Sequence, residues 1–248
     1  MLVDKLRVRR TMTTLVAVVV RAVRSRSVVA AMAAMRAARH IVAFLDVVER
    51  ARAAADAAAA DAMKAERNAD IDDDDATATY EAQRPTEDRL LPTVHALWAP
   101  TLARVSDSRV VVALEALATL EHAATLARSF LGVRGARELW PSTRALIDDV
   151  VSSRSGATSD NARRRAVAAL ACVDAFVRHC ELPLDALTSI ATSCDDWRRD
   201  VNNSNNGARV EHDVRVALDT LHADAVQQRA ALVDADTRAP QCDALRDE

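Results

Sequence analysis

A chain of 248 residues, half of them apolar but only seven aromatic, with four glycines and six prolines, is long enough to bury a core and too poor in turn residues for a many-stranded sheet. Much of the apolar share is alanine, the best helix former, so composition points to an all-α chain of closely approaching helices. The formal net charge of −3 identifies no partner; the arginine excess, with only Lys5 and Lys64 as lysines, goes with the alanine and valine richness and reads as coding bias rather than a phosphate surface.

Charge is uneven along the chain. Residues 1–40 carry nine basic side chains against one acid, Asp4, whereas residues 41–86 carry eleven acids against five bases. The start, MLVDKLRVRRTMTTLVAVVVRAV, sets a basic flank before the apolar run Leu15–Val20. A signal peptide would need a small-residue cleavage site after the run, but Arg21, Arg24 and Arg26 follow it. The run is also far short of the ~20 residues of a membrane span. The expectation is a repeat helix without its N-terminal neighbour, with a mitochondrial presequence as the alternative and a secretory signal behind it. Nucleic acid is not expected, because no aromatic residues interleave the arginines to stack bases.

From Ser27, Val28, Met32, Met35, Ile41, Phe44 and Val48 recur at helical intervals, and the helix is expected to continue through Ala53–Ala60 on propensity alone. Asp70–Asp75 and the following ATATYEAQRPTE break the periodicity and read as a linker. Glu87–Val105 is expected as a helix bent or interrupted at Pro92 and Pro100. After a tight Ser106-Asp107 turn, Asp107 or Ser108 is placed to cap a second helix with Val110, Leu114, Leu117 and Leu120 on one face. This helix pair resembles a HEAT repeat. Pro141 sits where a first helical turn tolerates proline. Asp160 or Asn161 caps the next helix, with Val167, Leu170, Val173, Val177 and Cys180 in one stripe and Phe176 beside it. Glu181-Leu182-Pro183 allows only an antiparallel hairpin to the stripe Leu184, Leu187, Ile190, Cys194, Trp197 and Val201. Asn202–Gly207 reads as a loop, and a last helix through Val210, Val214, Leu218, Leu221 and Ala225 ends near Val233. The organisation expected is therefore an N-terminal helical repeat segment 1–68, an acidic disordered linker 69–86, C-terminal repeats 87–236 and a frayed tail 237–248. The fold class is an all-α, HEAT-like α-solenoid of stacked antiparallel helix pairs.

Motifs for chemistry are missing. Gly132 and Gly135 are the only near pair of glycines, and neither lysine follows a glycine, which rules out a phosphate-cradling loop of that kind. There is no Gly-x-Ser-x-Gly elbow and no His-Glu-x-x-His. Cys172, Cys180, Cys194 and Cys242 have no short paired spacing, so reduced, buried thiols of an intracellular protein are expected. Cys172, His179, Cys180 and Cys194 lack the close ligand pair of a zinc site and lie on continuous apolar stripes. Asp219 and His222 read as a solvated pair, and His95 beside Trp98 as a repeat-packing histidine. No catalytic, cofactor-binding or metal residue is assigned, and the chain reads as a non-enzyme without cofactor.

One resemblance is more specific. Leu90-Leu91-Pro92 with His95 and Trp98, Arg104 and Asp107 at the turn, Val111 with Ala116-Leu117, Phe130-Leu131 with Arg134, and Leu139-Trp140-Pro141 follow one another as in the C-terminal repeats of the Tel-two-interacting protein one (Tti-one) family. The helix pair 162–200 resembles the pair that follows there, so the likeness covers roughly residues 87–200. Arg128-Ser129 departs from it, since the family tends to carry a Gly-Asp pair, and the chain is far shorter than a full member. The resemblance implies a non-catalytic HEAT scaffold of the TTT co-chaperone complex. Its partners would be the other TTT subunits, phosphatidylinositol-three-kinase-related kinases and the Hsp-ninety machinery, with no small-molecule substrate and no membrane. Cytoplasm, and also nucleus, would be its location. Pro92, His95, Trp98, Asp107, Phe130, Arg134, Trp140 and Pro141 are the expected family-motif and inter-repeat core residues. A karyopherin-like HEAT or armadillo adaptor and an imported mitochondrial helical protein are the alternatives; the acidic inner faces and repeated Trp-Asn pair of a carrier are not found.

Overall fold

The structure, a computed structural model, describes residues 2–69, 90–151, 159–203 and 212–244. Among them there is no strand, and the helices are α1 (Leu2–Val23), α2 (Val28–Ala69), α3 (Leu90–Leu102), α4 (Val110–Ala127), the single turn α5 (Gly132–Arg134), α6 (Trp140–Val151), α7 (Asp160–His179), α8 (Leu184–Asn203) and α9 (His212–Ala244). A 3₁₀ turn, Arg128–Leu131, precedes α5, and a π-helical turn, Gly135–Leu139, follows it.

Helix periodicity decides the packing. In α7, Ala166, Ala169, Leu170, Val173, Phe176 and Val177 are buried at spacings of three and four, so one face enters the core and the other stays in water. Equivalent stripes on its neighbours pair α1 with α2, α3 with α4, α6 with α7, and α8 with α9. Helices α2, α4, α7 and α9 then stack in one layer, each on the next, while α1 meets α3 and α6 meets α8 in the other. The chain is thus an all-α solenoid of stacked antiparallel helix pairs. Its core runs along the seam between layers, through Met35, Leu117, Leu120, Leu139, Phe176, Leu187 and Leu218. Beyond Glu49, residues 51–62 of α2 are all exposed, so alanine propensity carries that stretch without a packing partner.

Several boundaries differ from the pattern-based expectation. Pro92 lies in the first turn of α3, where an absent N–H breaks no helical bond. Pro100 lies in its last turn, and the helix ends two residues later at Leu102. The helix is therefore uninterrupted between the prolines and stops short of Val105. Ser159, not Asp160 or Asn161, caps α7: its hydroxyl accepts from the Ala162 N–H at 3.2 Å. Asn202 and Asn203 belong to α8, and α9 continues past Val233 and through Pro240 to Ala244. The acidic stretch 70–86, the loop residues 152–158 and positions 204–211 lie outside the described residues.

By length and composition, Val28–Ala62 and Val110–Val151 would each suffice to cross a bilayer. Core helices pass the same measure, and here Met35, Ala38 and Leu45 of the first and Val112, Leu117 and Leu120 of the second are buried against other helices.

The contact between α7 and α9 carries a charge cluster with a pH signature. The Arg178 Nη2 lies 2.9 Å from Asp174 Oδ2, and its Nε donates to Asp224 Oδ2 at 2.5 Å. Burial, followed by a hydrogen bond with the Asp224 carboxyl, pushes the Asp174 carboxyl up to about 6. Asp174 Oδ1 is buried without a partner. With an unfolded value near 4, the folded chain holds a proton between about pH 4 and 6 that the unfolded chain has released. Stability contributed by this group therefore falls as pH rises through that window. Asp174→Asn should flatten the pH dependence of the thermal midpoint between pH 4 and 7; an unchanged slope would place the titration elsewhere.

Candidate functional site

In a stacked solenoid the functional surfaces are the ones the repeats leave open, and their shape depends on how the repeats lock together. Two locks are visible. The first is a line of tryptophans between helices α3, α6 and α8. Trp98, Trp140 and Trp197 are 3%, 7% and 4% exposed, and each indole N–H finds an acceptor on another helix or turn. Trp98 Nε1 donates to Glu138 Oε2 at 2.5 Å, Trp140 Nε1 to Ser189 Oγ at 3.2 Å, and Trp197 Nε1 to Asp148 Oδ1 at 2.6 Å. Trp140 meets Trp197 edge-on at 6.0 Å between centroids, and Trp98 meets Phe176 in the same way at 5.9 Å. Large apolar rings anchored by one polar atom fix the register of neighbouring helices better than aliphatic contacts do.

The second lock is a corner. Asp107 was expected as a helix cap, but α4 starts later, with Arg109 at its N-cap and no side-chain cap bond. The Asp107 carboxylate instead accepts the Arg109 N–H at 3.0 Å, closing a local turn, and pairs with both Arg104 and Arg109 at 2.9 Å. The two guanidiniums, held in this way, reach back to the turn after α1. Arg104 donates to Val23 O at 2.9 Å and Ser25 O at 2.6 Å, and Arg109 donates to Arg26 O at 2.7 Å. Carbonyls left open by the end of α1 thereby receive charged donors, which also suit the negative end of the helix. The pattern repeats one pair further on, where Arg165 Nη2 of α7 donates to Ser108 O at 2.7 Å. Hydrogen bonding to Arg109 holds the Asp107 carboxyl well below the usual carboxylate range. Asp107→Ala would leave two guanidiniums without their orienting anion. A loss of about 2 kcal/mol is expected, on the scale of hydrogen bonds to a charged group, and denaturant midpoints of the two proteins measure it. The Arg104-x-x-Asp107-x-Arg109 spacing was the available signal; Asp107 was singled out as a helix cap and, with Arg104, by the family resemblance, while Arg109 and Arg165 were not singled out.

The connection from α4 to α6 is the most irregular stretch of described backbone. Arg128, not a glycine, has φ +43°. Gly132 and Gly135, which hold no phosphate motif, are sites of close approach: a Cβ on Gly132 would stand 2.1 Å from the Glu181 carbonyl oxygen, and one on Gly135 would stand 2.5 Å from the Phe176 ring. The chain therefore lies directly on the α7–α8 hairpin and on the central phenylalanine.

Of the eight expected core residues, Trp98 and Trp140 are buried, and Asp107 and Arg134 are half-buried. The other four require correction. Pro92, His95 and Pro141 are exposed, and Phe130 is 39% exposed. On α3 the inward face is set by Val94, Leu97, Trp98 and Thr101, which leaves His95 on the outer flank. Pro141 stands on the outer side of α6, opposite Thr143 and Ile147. In the 3₁₀ turn only one of two adjacent apolar residues can face inward, and Leu131 does.

The thiols are unsuited to chemistry. Cys172, Cys180 and Cys194 are free and buried; burial raises the Cys172 thiol strongly and pushes Cys180 and Cys194 up to about 12, so the nucleophilic thiolate is suppressed. His179 is exposed. Among the described residues no three metal-binding side chains gather; the Cys242 side chain lies outside them. Asp219 is exposed and His222 half-buried, and they are not paired with each other: Arg198 Nε sits 2.9 Å from Asp219, while His222 Nε2 sits 3.1 Å from Asp195, so both belong to a partly solvated polar network joining α8 to α9.

A family model described as TTI1 C-terminal TPR domain matches residues 76–203, just over half of the chain and inclusive of α3 to α8. No curated protein and no solved structure matches.

Proposed function

The chain belongs to the TTI1 C-terminal TPR domain family, and from that membership we propose that it acts as a non-catalytic scaffold of the TTT type. In this reading its stacked helix pairs hold partner proteins and so support the maturation and stability of phosphatidylinositol-three-kinase-related kinases together with the Hsp-ninety system. The cytoplasm, and also the nucleus, would be its place of work. The observation that carries the proposal is the family match across residues 76–203. A helical-repeat scaffold is built to bind proteins along its open faces; the identity of the partners is what the proposal adds.

Affinity purification of the full chain from its native cell, followed by mass spectrometry, tests it. Recovery of the other two TTT subunits and of large kinases is the expected result. Recovery of nuclear transport factors alone would favour the adaptor alternative, and recovery of import machinery alone would favour a mitochondrial protein; either would overturn the scaffold reading.

A further inference from the structure

The outer side of the α4–α6 connection has a surface chemistry that the packing of the solenoid does not require. Phe130 and Val133 are 39% and 51% exposed. Arg134 is half-buried, while Arg137 and Pro141 are exposed. The burial of each position, not a helical period, places them together on the outer side of the connection. Leu131, Gly132, Gly135 and Leu139 occupy the opposite, buried side, so the exposed face is a ridge set by the glycine contacts beneath it. Arg128 stands at its start with φ +43°, and a π-helical turn, Gly135–Leu139, runs through its middle. Strained non-glycine backbone and π turns are frequent at functional sites.

Charge adds a direction. The guanidiniums of Arg128, Arg134 and Arg137 make no ion pair or hydrogen bond among the described residues, unlike those of Arg104, Arg109, Arg165 and Arg178. The one acid on the same stretch, Glu138, has its carboxylate engaged by the Trp98 indole. The ridge therefore combines a solvent-facing Phe-Val pair with three guanidiniums that form no ion pair and a single carboxylate, Glu138, so its charge is net positive.

We propose that this ridge, Phe130, Val133, Arg134 and Arg137 with Arg128 at its edge, is a docking surface for an acidic segment of a partner protein whose apolar side chains cover Phe130 and Val133. The proposal rests on the scaffold reading above and names the place and chemistry of one contact. Guanidiniums form forked bonds with carboxylates, and an arginine-rimmed apolar patch is the composition of a protein-binding centre. Single-stranded nucleic acid fits less well. It needs several aromatic faces for successive bases, and the ridge offers one.

The test uses the full chain and two labelled peptides of equal length, followed by fluorescence anisotropy. One peptide alternates Asp and Glu with Leu; in the other, Ser replaces every Leu. The Leu peptide should bind, more weakly as salt rises, and the Ser peptide should bind worse. Arg134→Glu with Arg137→Glu should weaken the Leu peptide by roughly tenfold or more, and Phe130→Ser with Val133→Ser should remove its advantage over the Ser peptide. If charge reversal disturbs the fold, as read by circular dichroism, Arg134→Gln with Arg137→Gln carries the same test without repulsion. Absence of binding, equal binding by all forms, or tighter binding of poly-uridine than of the Leu peptide would overturn the proposal. In the native-cell purification, partners recovered equally by the unaltered and charge-reversed chains would also overturn the ridge while leaving the scaffold reading intact. Partners recovered by neither form would sink the scaffold reading, and the peptide titration would then decide the ridge on its own.

Discussion

Replacing Trp140 by alanine is expected to lower stability by about 3–5 kcal/mol, the range for removing a large buried aromatic ring, and to lower the thermal midpoint by roughly 10 °C. The indole is 7% exposed and joins α6 to α8 twice, through its edge-on contact with Trp197 and its N–H bond to Ser189. Alanine would open a cavity between two repeats and leave Trp197 without its ring partner. Trp140→Phe should cost much less, because most of the packing stays and only the hydrogen bond is lost, worth about 1 kcal/mol. Chemical denaturation of the three proteins checks the order. A Trp140→Ala chain as stable as the parent would show that α6 and α8 are held together by something other than this pair.

Gly132→Ala is expected to cost about 3 kcal/mol, at the upper end of the overpacking range, although it adds a single methyl group and raises helix propensity. The added carbon would stand 2.1 Å from the Glu181 carbonyl oxygen and 2.9 Å from its carbon. Those atoms are backbone, and Leu182 beside them is buried, so the hairpin cannot yield by rotating a side chain. Either the 128–139 connection lifts or the α7–α8 hairpin shifts, and both movements open the core. A calorimetric midpoint equal to that of the parent would show that the connection slides away without resistance.

The contrast between these two sites shows what could be read in advance. The large helices follow from periodicity: the stripe Leu170, Val173, Phe176, Val177 in α7 and Leu187, Ile190, Cys194, Trp197 in α8 is a local property of the chain. Burial of Trp98 and Trp140 follows from ring size and from their place on such stripes. The glycines could not be read, because the groups that forbid a side chain, the Glu181 carbonyl and the Phe176 ring, lie some forty to fifty residues away in sequence. Phe130 was misplaced for a related reason. A 3₁₀ turn and a π turn within twelve residues each change the angle per residue, so extrapolating a 3.6-residue period across them assigns the wrong one of two neighbouring side chains to the core. Asp107 was found and given the wrong task. Its carboxylate organises two arginines that serve the preceding repeat instead of capping the start of the next helix.

That corner bears on the order in which the molecule comes apart. The last carbonyl of α1, Val23 O, receives a donor from Arg104, and the turn carbonyls of Ser25 and Arg26 receive donors from Arg104 and Arg109. The α1–α2 pair therefore finishes its own helix end only when the next pair is in place, which couples the two as nearest neighbours. Asp107→Ala should quicken amide exchange around residues 24–27 without touching α8. A turn whose order is supplied by a neighbour acts as a loose end whenever that neighbour yields.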